Sequence, residues 1–307
     1  MSARAALSAL SLSLLVFSGS SLPVHAGPWL PAPGEYYTEL RGGLFSATSY
    51  HDDNGDRVTP GGEWEERSLL STTELGWKKN VSVLLAAPFI SATARDASGS
   101  RTSTGLEDLQ VGFRYGLRQG NSALALQLDW RAPLGYSRQT SLFAHPLHGD
   151  GFQQFTGSLL YGTALSKRGF LQLGAGLGYR FLSASASDST PVPGAGKVRS
   201  FAAEANSIPF VPSADLGWWV GRSLLVGGRY SGRTTLAHGD SVPARTAHLV
   251  GPYVLLRVDD RLDLVAGSMS TASARNALHF DQFYVAVAFK QTRLNRLQGY
   301  LGGTKSP

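Results

Sequence analysis

The chain has 307 residues, with 28 Lys+Arg against 22 Asp+Glu for a formal net charge of +6, and it has no cysteine and two methionines beside 36 Gly, 14 Phe, 11 Tyr and 6 Trp. Without cysteine it cannot lean on disulfides. Its basic residues are scattered and form no aromatic-interleaved run, so we read no nucleic-acid partner; beyond the N-terminal stretch nothing approaches 18 consecutive apolar residues, which disfavours a helical membrane protein.

Arg4 precedes an apolar run from Ala5 to Phe17, followed by Ser18-Gly19-Ser20-Ser21 and Val24-His25-Ala26. That run is too short to span a bilayer as a helix, and a small residue at Ala26 suits signal peptidase, so we read residues 1–26 as a secretory signal peptide. A short lead, 27–34, carries Pro31 and Pro33 and ends at Gly34.

From Glu35 the chain alternates. Tyr36, Thr38, Leu40, Gly42 and Leu44 share one face of a first strand, with Glu39 and Arg41 on the other; after the polar insert from Tyr50 to Glu63, Trp64 to Trp77 returns. Lys78-Lys79-Asn80 turns tightly into Val81, Val83, Leu85, Ala87 and Phe89, and Ala97 to Ser103 reads as a loop. In Thr104 to Leu117 the alternation is strict, Leu109, Val111, Phe113, Tyr115 and Leu117 against Asp108, Gln110, Gly112, Arg114 and Gly116. A period of two places these sets on opposite faces of a strand, one suited to lipid and one to water.

Arg118 to Asn121 turns again, and Leu124, Leu126, Leu128 and Trp130 oppose Ala125, Gln127, Asp129 and Arg131. Past a long loop from Ser137 to Asp150 come strands over about Gly151 to Leu165 and about Phe170 to Phe181, then a Ser-, Pro- and Gly-rich loop from Ala184 to Ser200. Pro209 and Pro212 predict a late or bulged start for the next strand, settled by Ala214 to Val220. Strands over Leu224 to Arg233, Thr246 to Val258, Arg261 to Ser270 and Leu278 to Lys290 follow.

The pattern predicts an all-β fold, a transmembrane antiparallel β-barrel of about twelve strands over 35–290, in which short turns alternate with longer loops as in bacterial outer-membrane barrels. A soluble sandwich or propeller is the competing fold, and strands of 12 or more residues are long against its usual ~5–6. The tail, 291–307, repeats Leu294, Leu297, Tyr300 and Leu301 at near-helical spacing; it predicts a periplasmic or lumen-facing segment, either a short amphipathic helix or a frayed end.

Certain stretches also carry a likeness: Gly34-Glu35-Tyr36-Tyr37, the Tyr50 to Arg57 loop, Leu75-Gly76-Trp77, Val81 to Pro88, and Gly105-Leu106-Glu107-Asp108-Leu109-Gln110-Val111-Gly112. Over roughly Gly34 to Leu117 the chain resembles the outer-membrane family named for the meta pathway of phenol degradation. The resemblance implies a channel for aromatic or other hydrophobic compounds. The distantly similar long-chain fatty-acid transporters carry an N-terminal hatch, whereas Gly27 to Pro33 is by our reading too short to plug a barrel.

Alternation puts Glu39, Arg41, Glu74, Asp108, Arg114, Asp129, Arg131, Arg180, Asp215, Arg229, Arg233 and Asp263 on the inner face, as lumen-lining candidates. Such charges either pair as structural salt bridges or leave a restricted, charge-selective path. Enzymatic signals are weak: there is no HExxH and no GxSxG, and His145, His148 and Asp150 share one predicted loop with Ser141 but without catalytic spacing. Asp52, Asn54 and Asp56 lack the glycine position and bidentate Glu of a calcium loop, and Gly174, Gly176 and Gly178 lie within a strand with no helix after it. The expectation is therefore a non-enzymatic outer-membrane channel, passing small solutes by passive diffusion, with no cofactor or metal. Its partners would be the solute, outer-membrane lipid and lipopolysaccharide. A closed structural or receptor barrel and a lipid-acting barrel enzyme stay open as alternatives.

Overall fold

The computed structural model describes residues 27–291 apart from 53, 60–61, 97–98, 134–151, 183–206 and 238–244. The signal-peptide reading, the tail, and the loop carrying Ser141, His145, His148 and Asp150 lie outside the described residues.

Fourteen strands form one antiparallel sheet: β1 (Tyr36–His51), β2 (Arg57–Val58), β3 (Glu63–Lys78), β4 (Val81–Asp96), β5 (Gly99–Leu106), β6 (Asp108–Arg118), β7 (Ser122–Pro133), β8 (Phe152–Ala164), β9 (Gly169–Leu182), β10 (Ile208–Val220), β11 (Leu224–Ala237), β12 (Thr246–Arg257), β13 (Leu262–Arg275) and β14 (Ala277–Gln291). It closes through β14 and β1, from Tyr36 opposite Gln291 to His51 opposite Ala277. The barrel has twelve staves, because β2 is a two-residue rung on β1 and β5 continues β6 above a break at Glu107. Closure leaves no unpaired edge, a requirement for a sheet that meets lipid.

The period-two pattern sets the two walls. Along β7, Ala123, Ala125, Gln127 and Asp129 are buried, while Leu126, Leu128 and Trp130 point out. The same alternation exposes Leu40, Leu44, Leu69, Leu85, Phe113, Leu159, Leu177, Leu216, Val254 and Val285 around the barrel. In water, each such side chain would forgo burial worth roughly 25 cal/mol per Å² of apolar surface; against acyl chains that penalty disappears. Tyr36, Trp77, Tyr115, Tyr161, Trp218 and Phe289 ring the outer wall near the short turns, and Trp130, Phe155, Tyr179 and Phe283 lie nearer the loops. Two such aromatic rows mark the lipid–water boundaries of a membrane barrel.

One stretch differs from expectation, and the start of β10 takes the bulged form of the two expected. The predicted loop from Ala97 to Ser103 is largely strand, because β5 pairs back on β4 as a projecting hairpin clasped by hydroxyl pairs, Ser91 with Thr104 at 2.8 Å and Thr93 with Thr102 at 2.9 Å. Strand β10 begins at Ile208, ahead of both prolines. A register shift between Ile208 and Pro209 and missing β11 partners for Val211 and Pro212 spare these prolines the rungs they cannot make.

Candidate functional site

The inner wall is the site. Its two openings differ: the turn end carries the short connections, and the loop end carries the long ones. Alternation brings most of the barrel's charge inward, where desolvation makes an unpaired charge costly and drives pairing.

Among the twelve predicted residues, eleven are buried on the inner face, and Arg131 is half-buried. At the turn end Lys290 Nζ lies 2.6 Å from Asp263, whose other oxygen is 3.5 Å from Arg257 Nε; the Arg257 guanidinium covers the Trp219 ring at 4.3 Å. In register above, Glu39 accepts from Tyr37 Oη and Arg41 Nε, both at 2.8 Å, and Arg41 stacks over Tyr284 at 4.7 Å. Across the lumen Arg114 donates at 2.9 Å to both Glu74 oxygens and at 2.7 and 2.9 Å to Gln127 Oε1, while Gln127 Nε2 donates to Asp129. Ser82 Oγ adds a 2.6 Å bond to Glu74.

Asp215 pairs with Arg229 at 2.9 Å and accepts from Tyr253 Oη at 2.5 Å. Gln154 Oε1 receives Arg180 Nε at 2.8 Å and Arg233 Nη2 at 3.1 Å. Asp108 and Arg131 are engaged as well. The predicted charges thus form separate clusters: the one at Asp263 is completed by Lys290 and Arg257, and the others by neutral donors or acceptors absent from the predicted set, Tyr37, Ser82, Gln127, Gln154 and Tyr253. Alternation alone places Gln127 and Gln154 inward; Tyr37 and Tyr253 escape because an aromatic on a membrane strand reads first as lipid-facing.

A second feature was missed entirely. The lead before β1 folds back into the turn end and lies along the inner wall. Gly34 N donates to Gly76 O, Trp29 Nε1 donates to Gly120 O at 2.9 Å, and Gln119 clamps the backbone from both sides, accepting from Leu30 N and donating to Pro28 O. At its far end Gly27 O accepts from Arg114 Nη1 at 2.9 Å, and Gly27 and Pro28 are buried. Glycines make room: a Cβ at Gly162 would come within 2.6 Å of Trp29 and Pro28, and one at Gly76 would collide with the Ala32 carbonyl. The lead, expected to be too short to plug a barrel, thus enters the turn end and lies against the inner wall. Eight residues of near-extended chain reach roughly 26 Å, enough to run from β3 past β6 to the Gln172 side chain on β9.

The remaining sector of the inner wall is apolar. Phe45, Ala47, Trp64, Ile90, Ala92, Leu249, Met269, Leu278 and Phe280 pack on β1, β3, β4 and β12–β14, continuous with Leu255, Val265 and Ala286 below. The lumen is thus divided: hydrogen-bonded polar clusters on β6–β11 and around the turn end, and an apolar face rising to the loop end on the other staves. Among the described residues no group of three or more His, Asp or Glu could hold a metal ion.

The sequence matches no protein-family profile and no curated protein. Among solved structures, the fold is similar to an outer membrane channel from Pseudomonas putida F1, with a TM-score of 0.66 and 12% identity over 88% of this chain and 99% of that one. It is also similar to the translocator domain of the autotransporter NalP from Neisseria meningitidis, with a TM-score of 0.51 and 10% identity over 94% and 96%. At such identities the likeness establishes the fold. With its lipid-suited outer wall, this closed barrel belongs in a bacterial outer membrane.

Proposed function

We propose that this barrel is a passive channel for small solutes, aromatic or otherwise hydrophobic ones among them, as its resemblance to the meta-pathway family implies. The observation that carries this reading is the apolar sector of the inner wall. Barrels that hold only water are polar inside, whereas here Phe45, Trp64, Leu249 and Phe280 line the inner wall with packed apolar side chains toward the loop end, the extracellular side if the short turns are periplasmic. A solute entering there would slide along that sector toward the ion-pair clusters and the lead, which narrow the periplasmic mouth. The predicted inner residues then act as a constriction, with Arg114 and Glu74 joining its wall to the lead. Arg67, exposed on β3 beyond Leu69, meets the anionic head groups of lipopolysaccharide. Cleavage after Ala26 would leave the lead as the mature N-terminus.

Single-channel recording of the refolded mature chain in a planar bilayer tests this, alongside the same chain lacking residues 27–33. Steady openings that widen on removal of the lead are the expected result. Silence in both forms would sink the channel and favour the closed barrel.

A further inference from the structure

Among the described residues, Glu66 is a lumen carboxylate without a counter-ion. Strand β3 turns Trp64 and Glu66 inward, 5% and 7% exposed. The register sets Glu66 between Phe45 on β1 and Ala92 on β4, and Trp64 between Ala47 and Ala94. Phe280 on β14 closes against Phe45, with ring centroids 5.8 Å apart and planes tilted by 54°. Glu66 is therefore framed by aromatic and methyl groups. Glu39, Glu74, Asp215 and Asp263 each hold an Arg or Lys; Glu66 has none among the described residues. The cation nearest in register on β1, Arg41, is committed to Glu39. On the same face of β3, Trp64 Nε1 faces the Glu66 carboxylate as a neutral donor, not a cation.

An unpaired carboxylate in an apolar frame is costly to keep, and a cation brought by a ligand would relieve that cost. The negative faces of aromatic rings attract the same charge. We propose that Glu66, Trp64, Phe45 and Phe280 form a station in the lumen for a small organic cation with an apolar body, such as an aromatic amine or ammonium. The carboxylate takes the charged head, the rings flank it, and Ala47, Ala92 and Met269 accept the apolar body. This deepens the channel reading and rests on it, for it names a class of solute that pauses on the apolar sector.

The test uses benzyltrimethylammonium as the probe and benzyl alcohol as its neutral counterpart, titrated into the full mature barrel in detergent and followed by calorimetry and tryptophan fluorescence. Glu66→Gln keeps the shape and removes the charge; Phe45→Leu removes one ring and guards against a folding failure in the first variant, with the heat-dependent gel shift checking both. The expected result is binding to the parent barrel, weakened about tenfold or more by Glu66→Gln and less by Phe45→Leu, with the response to benzyl alcohol unchanged. Equal affinity in parent and Glu66→Gln, or no binding to the parent, overturns the station. Potassium chloride conductance of the same preparations separates the two readings: conduction without probe binding removes the station alone, and binding without conduction keeps the station but removes the channel.

Discussion

The two sectors of the lumen solve the same packing problem by opposite means. On β6–β11 and around the turn end the wall is held by charges whose partners are specific: Arg114 satisfies Glu74 on β3, Gln127 and the Gly27 carbonyl at once, so its position is fixed by several bonds of defined direction. Toward the loop end of β1, β3, β4 and β12–β14 the wall is held by non-directional contacts among Trp64, Ile90, Leu249, Met269 and Phe280. A directional sector is intolerant of losing one partner, because the survivor stays buried and unpaired. A contact-held sector tolerates a change of shape as long as volume is kept. A lumen built this way has one rigid side, which anchors the lead, and one adaptable side.

The largest expected effect comes from breaking the rigid side. Glu74→Gln removes the charge opposite a fully buried Arg114 and should cost about 3–5 kcal/mol, read as an earlier midpoint in urea unfolding of the barrel in lipid. A midpoint shift no larger than that of an exposed polar substitution would mean that Arg114 finds other compensation and the sector is not organised around it. Next is the lead. Gly162→Leu fills the space of Trp29 and Pro28, and with the Trp29 bond to Gly120 lost the lead should detach at a cost of about 2–3 kcal/mol. The check is proteolysis of the lead from the periplasmic side together with conductance, both of which should rise; an unchanged cleavage rate would show that the lead keeps its seat by other contacts. On the adaptable side, Met269→Leu conserves volume and should cost less than about 1.5 kcal/mol. A loss matching that of Glu74→Gln would erase the contrast between sectors.

The contrast also explains what could be read from sequence. Strands β6 and β7 show clean alternation because their inner residues are polar, and Asp108, Arg114 and Asp129 announce their face unaided. In β13 and β14 both faces are apolar, so Val265, Phe280 and Ala286 carry no mark of pointing inward. The barrel and its approximate strand number were legible for that reason, and the apolar sector was not. Pairing was equally hidden: Glu74 and Arg114 lie 40 positions apart, and only the shared pairing of β3 and β6 with β4 brings them to 2.9 Å. The lead gave one signal in hindsight, small residues at Gly76, Gly116 and Gly162 on inner-facing positions near the turns, which leave room against the wall.

The smallest effect is expected at the rim of the adaptable side. Four residues beyond Phe283, the last outward aromatic of β14, His279 Nδ1 lies 3.1 Å from His51 Nε2, and His51 Nδ1 lies 2.9 Å from the Gly55 carbonyl. The pair ties the loop between β1 and β2 to β14. One imidazole must stay neutral to accept the shared hydrogen bond. Partial burial, chiefly, and then the neighbouring Arg57 and His51 charges hold the His279 imidazole below its ordinary value, against a weaker upward pull from Asp281. A histidine with a lowered folded-state pKa contributes stability that is full above its unfolded value of 6.5 and is lost as pH falls through the folded value. The rim should therefore loosen below pH 6.5 while both sectors of the lumen hold. Protection at Gly55 and Asn276, whose amides bond to the Asp52 carbonyl, measured as hydrogen exchange relative to the intrinsic rate at each pH, should fall on acidification in the parent chain and lose that pH dependence in His279→Phe. Protection that still falls on acidification in His279→Phe would take the sensitivity away from this pair.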